Sequence, residues 1–336
     1  LLHFFYSFQD IKKNMNNYSW VQKRLHQLAL SSKFMREVTF DFEDTYISKN
    51  LDHQNHVFIT GLARSGTTIL LNAIYQSDIF ASLSYADMPF VLAPNLWSKI
   101  YFKRGDLAYR ERSHQDGIKI NINSPEAFEE VFWNTFDESE DETLNKFRSY
   151  IASILKKNKK FRYLSKNNQN VKRIPLISNI FSSAKILIPF RDPIQHAYSL
   201  LNQHIKFIKE SNMNKFTTTY MKWIGHTEFG PNYVPIINEK ITFKNFDDIN
   251  HWLEQWYLTY TKLMNELESY QNVYFICYEE LCSSNYYWLK IKDLLQINNS
   301  YKFNFRESKK KIPISINKKI EEKSSILYSK LHELSF

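Results

Sequence analysis

The chain has 336 residues, of which 43% are apolar and 24% are charged. A chain of this length and apolar content can bury a sizeable core, which excludes disorder as a description of the whole molecule. The formal net charge of +9 favours anionic partners, such as nucleotides, sulfated or phosphorylated glycans, or nucleic acid, without choosing among them.

The two cysteines, Cys277 and Cys282, lie close in sequence and outside any metal-binding spacing. We therefore expect a reducing compartment and no metal site. The apolar opening, residues 1–6, ends well short of membrane-spanning length, and no transmembrane helix is predicted elsewhere. The expected location is the bacterial cytoplasm, with an upstream signal or anchor left open because residue 1 is not methionine. The oligomeric state is not predicted.

No internal repeat and no Pro- or Gly-rich linker divides the chain, which predicts a single domain over residues 1–336. Its core is expected at about residues 55–300. A helical extension is predicted at residues 1–50, and a Lys-rich C-terminal segment, partly mobile, at residues 302–336.

Three short apolar runs, at residues 56–60, 185–190 and 273–277, are each followed by a helical pattern. Strands that alternate with helices predict an α/β fold, with a central parallel sheet flanked by helices. Residues 87–155 have weaker strand signals and predict a helical insertion beside the site. Residues 247–270 predict a long amphipathic helix whose aromatic side chains belong to the core.

Residues 61–68, GLARSGTT, join the first predicted strand to its helix, with glycines spaced as in the nucleotide-binding pattern GxxxxGK[ST]. Such a turn presents backbone N–H groups and the positive end of the helix dipole to a phosphate. Thr67 stands where ATP- and GTP-dependent enzymes have the lysine that contacts the β- and γ-phosphates. The loop therefore predicts a different anion, held by amides, hydroxyls and Arg64 without a metal. The alternative is an ordinary strand-to-helix turn.

The second predicted strand ends at Arg191, in the sequence RDP, and Ser199 follows eight residues later on the helix. The two side chains can converge on one anion. Taken alone, an RDP turn is more typical of a salt bridge at a helix start. Its pairing with the loop at residues 61–68 favours a second anion site.

Together these two elements resemble the sulfotransferase superfamily, and the RSGTT form of the loop is similar to its tyrosylprotein, carbohydrate and bacterial branches. The resemblance implies a P-loop-like fold and the sulfuryl donor 3′-phosphoadenosine 5′-phosphosulfate (PAPS), used without a metal. It implies that Arg191 and Ser199 bind the 3′-phosphate. It also implies contacts to the 5′-phosphosulfate from five loop residues: Arg64, Ser65, Gly66, Thr67 and Thr68.

Two further segments resemble elements of the same superfamily. Residues 278–281, YEEL, resemble its YEDL element, which implies that Tyr278 lies near the adenine; a buried structural tyrosine is the alternative. Residues 162–168 resemble its strand-then-lysine segment, which implies that Lys166 reaches the transferring group, although a lone lysine after a strand is usually solvated. The chain departs from the cytosolic members at residues 308–311, where SKKK stands in place of their RKG segment.

Sulfuryl transfer requires an acceptor in line with the S–O bond, a base for the acceptor proton, and cations at the bridging oxygen. Arg64 and Lys166 are the expected cations. Related enzymes carry the base after the first helix, which implies Asp87 first and His114 second, since an imidazole accepts protons near neutral pH. Four other candidates lie in the same stretch: Asp116, Glu126, Glu129 and Glu130.

The expected reaction transfers the sulfuryl group to a hydroxyl, and the resemblance to the bacterial branch favours a carbohydrate acceptor. Lipid-linked glycan, peptide tyrosine and small alcohols stay open. A P-loop small-molecule kinase is the first alternative, and magnesium dependence distinguishes it. The second is a non-catalytic protein that binds anions, glycans or nucleic acid. Because the basic residues are dispersed without a recognition motif, no nucleic-acid partner is expected.

Overall fold

The structure, a computed structural model, describes residues 19–47, 55–100, 110–111, 119–213, 215–267, 270–307 and 309–335. These residues fall into two compact units, each assembled from three segments of the chain. The first unit takes the described parts of residues 1–52, 81–160 and 210–226. The second takes those of residues 53–80, 161–209 and 227–336.

Over the described residues, the chain forms seven β-strands. They are β1 (Val57–Ile59), β2 (Phe80–Ala81), β3 (Arg110–Glu111), β4 (Lys119–Ile120), β5 (Arg162–Lys166), β6 (Lys185–Phe190) and β7 (Val273–Cys277).

Thirteen α-helices lie in the same described ranges. They are α1 (Trp20–Leu30), α2 (Lys33–Asp44), α3 (Thr67–Tyr75), α4 (Pro94–Ile100), α5 (Glu130–Trp133), α6 (Asp141–Asn158), α7 (Ile174–Ile180), α8 (Pro193–Met213), α9 (Lys215–Trp223), α10 (Ile249–Leu267), α11 (Tyr278–Ser283), α12 (Asn285–Leu294) and α13 (Lys318–Leu334). No helix in these ranges combines the length and apolarity needed to cross a lipid bilayer.

The main sheet has five strands in the order β2-β5-β1-β6-β7, and β1 pairs in parallel with both β5 and β6. β6 also pairs in parallel with β7, which confirms the predicted parallel sheet. The central strands β1 and β6 are mainly apolar and almost fully buried, as expected for a sheet covered on both faces. After β1 the chain adds strands on one side and then on the other. The carboxyl end of β1 is therefore the switch point at which such sheets bind ligands.

Helices α3 and α13 pack against this sheet, and α10 packs against α13. The predicted amphipathic helix is confirmed in α10, whose fully buried face includes Trp252, Trp256, Tyr260 and Leu263. These residues recur every three or four positions, so one face of the helix enters the core. The C-terminal segment contains more order than its lysines indicate, because α13 buries Ile320, Ser324, Leu327 and Leu331 along one side.

Helices α4, α5 and α6 of the first unit lie in residues 87–158, which confirms the helical character predicted for residues 87–155. Helix α6 buries an aromatic core that includes Phe147 and Tyr150, and it packs against α2 and α4. The Glu43 carboxylate of α2 accepts hydrogen bonds from the backbone N–H groups of Asn95 and Leu96, at 2.9 and 3.0 Å. These N–H groups belong to the first turn of α4, so the carboxylate caps that helix and complements its dipole.

Asp87 lies in the same unit and is completely buried. Its Oδ2 accepts hydrogen bonds from the backbone N–H and the Oγ of Ser84, at 2.8 and 3.0 Å. Its Oδ1 forms an ion pair with Lys157 on α6. Burial, and then the charges of Glu129 and Asp87, raise the pKa of Tyr150 well above its ordinary value. Asp87 therefore ties the turn at residues 84–87 to α6.

The Asp87→Asn variant tests this structural role. The substitution leaves the Lys157 ammonium buried without its charge partner, which costs about 3–5 kcal/mol in comparable buried pairs. We expect the melting temperature, followed by circular dichroism, to fall by roughly 6 °C or more.

Glu37→Gln is the matched control, because it removes one charge from the exposed Lys33–Glu37 pair on α2. Exposed pairs contribute about 0–1 kcal/mol, so this variant is expected to melt close to the wild type. Equal melting of Asp87→Asn and the wild type contradicts the structural role.

Candidate functional site

The loop at residues 61–66 leaves the carboxyl end of β1, in the middle of the sheet, and enters α3. The backbone has positive φ at three of its residues: +135° at Gly61, +70° at Arg64 and +104° at Gly66. Gly66 is the N-cap of α3, and no side chain caps that end. The N-terminal end of α3, with its first backbone N–H groups and the positive end of the helix dipole, is therefore suited to bind an anion.

The hydroxyl and cationic side chains of this loop differ in exposure. Ser65 and Thr67 are buried, whereas Arg64 and Thr68 are half-buried. Arg64 and Thr68 are thus accessible to a ligand at the mouth of the loop, and the buried hydroxyls support the turn from within.

Tyr278 follows β7 and lies directly against the loop. A Cβ atom built on Gly66 would lie 2.5 Å from the Tyr278 Cδ2 atom and 2.8 Å from its Cε2 atom. Only glycine fits at position 66, since it combines this close approach with a positive φ. The Tyr278 hydroxyl donates to the Arg306 carbonyl at 3.1 Å, and burial raises the pKa of that hydroxyl.

Arg191 and Ser199 lie where the sequence predicts them, at the end of β6 and on α8. The Arg191 guanidinium lies 5.9 Å from the centroid of the Tyr278 ring. Arg64 donates from Nε to the Ser199 Oγ at 3.4 Å. The structure therefore brings the first loop, the strand-terminal arginine and the serine of α8 into one cationic region.

The backbone after β6 is held by Glu279, which accepts a hydrogen bond from the Asp192 N–H at 2.9 Å. Asp192 in turn accepts a hydrogen bond from the Gln195 N–H at 2.8 Å, at the start of α8. The RDP turn therefore does begin a helix, and its aspartate performs that role.

Lys166 is the last residue of β5 and pairs in register with Ile59 of β1. It is buried, with 7% of its surface exposed. The next residue, Asn167, donates its N–H to the Ile59 carbonyl at 3.0 Å, and Thr60 donates its hydroxyl to the Asn168 carbonyl at 3.4 Å. Lys166 therefore ends at the same edge of the sheet as the loop.

Two polar residues at this edge of the sheet, His196 and Glu228, are not predicted as site residues from the sequence. His196 on α8 is completely buried, and its Nε2 lies 2.7 Å from the Ala63 carbonyl of the loop. Glu228 is half-buried and accepts a hydrogen bond from the Asn168 Nδ2 at 3.0 Å. The sequence feature that could have identified His196 is its position between Arg191 and Ser199, on the face of α8 that also carries Leu200.

The base candidates of residues 82–130 differ in their surroundings. Asp87 is engaged by Ser84 and Lys157, as described above. Glu126 accepts a hydrogen bond from the Tyr85 hydroxyl, and the buried Glu129 accepts one from the Trp133 Nε1 at 3.2 Å. Glu130 is half-buried and begins α5. His114 and Asp116 lie outside the described residues.

The Lys-rich segment after residue 302 passes close to the same region of the second unit. Gln195 donates from Nε2 to the Lys310 carbonyl and accepts from the Lys310 N–H, both at 2.9 Å. These two bonds hold Lys310 at the start of α8, and the Tyr278 hydroxyl holds the Arg306 carbonyl. The side chains of Lys309, Lys310 and Lys311 are exposed.

Within the described ranges, no three His, Cys, Asp or Glu side chains cluster as metal ligands.

The chain is similar to several solved bacterial sulfotransferases, all at low sequence identity. Sulfotransferase STF1 from Mycobacterium tuberculosis H37Rv is 9% identical, with 94% of this chain and 83% of that chain covered and a TM-score of 0.48. STF9 from Mycobacterium avium is 12% identical, with 95% and 80% covered and a TM-score of 0.44. The sulfotransferase from Alicyclobacillus acidocaldarius is 13% identical, with 83% and 92% covered and a TM-score of 0.41.

No curated protein matches the chain. The sequence profile of the Sulfotransferase family matches residues 56–233, a range that contains β1, the loop at residues 61–66, Lys166, Arg191 and Ser199. Since this match covers more than half of the 336 residues, the chain belongs to the sulfotransferase family.

Proposed function

We propose that this sulfotransferase takes its sulfuryl group from PAPS and transfers it to a hydroxyl, with a carbohydrate as the favoured acceptor class. The observation that carries the donor assignment is the hydrogen bond between Arg64 and Ser199. It joins the loop suited to a 5′-phosphosulfate with the Arg191 element suited to a 3′-phosphate. A donor that carries both a 5′-phosphosulfate and a 3′-phosphate suits two neighbouring anion sites of this kind.

In the proposed complex, the amides of the loop and the hydroxyls of Thr67 and Thr68 hold the phosphosulfate oxygens. Arg64 and Lys166 stabilise the negative charge that develops on the bridging oxygen as the S–O bond breaks. Arg191 and Ser199 bind the 3′-phosphate. Tyr278 lies against the adenine. The products are adenosine 3′,5′-bisphosphate and the sulfated acceptor.

For the base, the surroundings favour Glu228 over Asp87. Asp87 is completely buried and forms an ion pair with Lys157, so protonation of its carboxylate would leave the Lys157 ammonium without its charge partner. Glu228 is half-buried, and its hydrogen bond to Asn168 connects it to the residues that follow Lys166. A carboxylate tied to this edge of the sheet is suited to accept the proton of an incoming hydroxyl.

The donor assignment predicts metal-free binding of adenosine 3′,5′-bisphosphate by the wild-type protein, measured by isothermal titration calorimetry in EDTA. We expect Arg191→Ala to raise the dissociation constant roughly 10- to 150-fold, because hydrogen bonds to charged groups contribute about 1.5–3 kcal/mol. AMP, which lacks the 3′-phosphate, is expected to bind the wild type more weakly by a similar factor.

Lys185→Ala is the matched control, since Lys185 begins β6 whereas Arg191 follows its end. Its Nζ lies 3.3 Å from the Tyr274 hydroxyl, away from the loop. This variant removes the same charge and is expected to bind like the wild type. Wild-type binding that ignores the 3′-phosphate, or that needs magnesium, contradicts the proposal and favours the kinase alternative.

The base assignment predicts that Glu228→Gln lowers turnover while donor binding stays unchanged. General-base groups contribute roughly 10²- to 10⁴-fold to rate. The measurement is the release of adenosine 3′,5′-bisphosphate from PAPS in the presence of a carbohydrate that supports turnover by the wild type. Glu239→Gln, an exposed residue of the same unit, is the control. Full turnover by Glu228→Gln returns the assignment to Asp87 and His114.

A further inference from the structure

His196 lies on α8, between the two elements assigned to the donor. Its side chain has no exposed surface, and its Nε2 lies 2.7 Å from the carbonyl oxygen of Ala63. A carbonyl oxygen only accepts hydrogen bonds, so Nε2 carries the hydrogen of the neutral ring. Burial, and then the charge of Arg191, lowers the pKa of His196 to about 3, with Arg64 adding to the effect. The ring is therefore neutral at physiological pH.

The acceptor of this bond belongs to the backbone of the loop. The Ala63 carbonyl and the Arg64 N–H form one planar trans peptide unit, in which the two groups point in opposite directions. A hydrogen bond that holds the carbonyl toward α8 therefore directs the Arg64 N–H to the other side of the loop.

Arg64 has a φ of +70°, in the left-handed region. Sterics disfavour this conformation for a residue with a Cβ atom, so surrounding contacts have to maintain it. Helix α8 supplies two such contacts: His196 donates to the Ala63 carbonyl at 2.7 Å, and the Ser199 Oγ accepts from the Arg64 Nε at 3.4 Å. Both contacts lie within eight residues of Arg191 along the chain.

We propose that His196 is a positioning residue for the donor. Its Nε2–H fixes the Ala63–Arg64 peptide, which keeps Arg64 in the conformation that reaches Ser199 and aligns the loop with Arg191. The residue does not touch the reacting atoms and acts through the loop backbone. This inference rests on the proposed donor and adds a requirement to it: the two anion sites have to be held in register by the buried face of α8.

The test compares two substitutions of similar size. His196→Gln retains an N–H donor near the position of Nε2, whereas His196→Met fills the space without a donor. We expect His196→Met to raise the dissociation constant for adenosine 3′,5′-bisphosphate at least 10-fold, and His196→Gln to stay within about 3-fold of the wild type. Rescue by glutamine distinguishes positioning from simple filling of the core.

His26→Met controls for the loss of a buried histidine. His26 lies on α1 in the first unit, is 4% exposed, and forms its hydrogen bond through Nδ1 to the Gln22 carbonyl of its own helix at 2.9 Å. This variant is expected to lower the melting temperature as His196→Met does and to leave the dissociation constant unchanged.

A second measurement observes the protonation state of the ring directly. ¹⁵N NMR of histidine-labelled protein, from pH 7 to pH 5, is expected to show, among the signals of neutral rings with the hydrogen on Nε2, one that is present in the wild type and absent from His196→Gln. Nδ1 protonation of that ring, equal affinity of His196→Met and wild type, or equal loss in both variants overturns the positioning role. Failure of the wild type to bind the bisphosphate overturns the donor assignment instead, and the positioning role with it.

Discussion

The close approach of the Tyr278 ring to the Gly66 backbone constrains the whole donor side of the site. Tyr278 follows β7 and Gly66 follows β1, and β6 lies between these two strands in the sheet. The contact therefore passes over the end of β6, from which Arg191 emerges. No larger side chain fits at position 66, so the path of the loop, the placement of Tyr278 and the surroundings of Arg191 depend on one another.

The same region concentrates positive charge before any ligand arrives. Arg64 and Arg191 are close enough to His196 for both charges to lower its pKa. Cations held together in partly desolvated surroundings repel one another, and a bound polyanion relieves that repulsion. The relief of this repulsion therefore contributes to the binding free energy of an anionic donor. Because His196 is neutral, it adds no further positive charge to the region.

The elements that carry short sequence patterns were predictable from the sequence. β1 with its loop, Arg191 with α8, and β7 with Tyr278 are each local, because strand, turn and helix follow within about ten residues. The contacts that complete the site join residues far apart in the chain. His196 meets Ala63 over 133 residues, and Gln195 meets Lys310 over 115. Hydrophobic periodicity and turn chemistry contain no information on such pairs. The ion pair of Asp87 with Lys157 is a further example, since the two residues lie 70 positions apart.

Arg306 and Lys310 are each held through backbone groups. Gln195 bonds to the N–H and the carbonyl of Lys310, and Tyr278 bonds to the carbonyl of Arg306. Any residue except proline offers the same N–H and carbonyl groups at position 310. The placement of Lys310 and its charge are thus separable: evolution can exchange this exposed lysine for a neutral or acidic residue, and so change the local electrostatic potential, without moving its backbone.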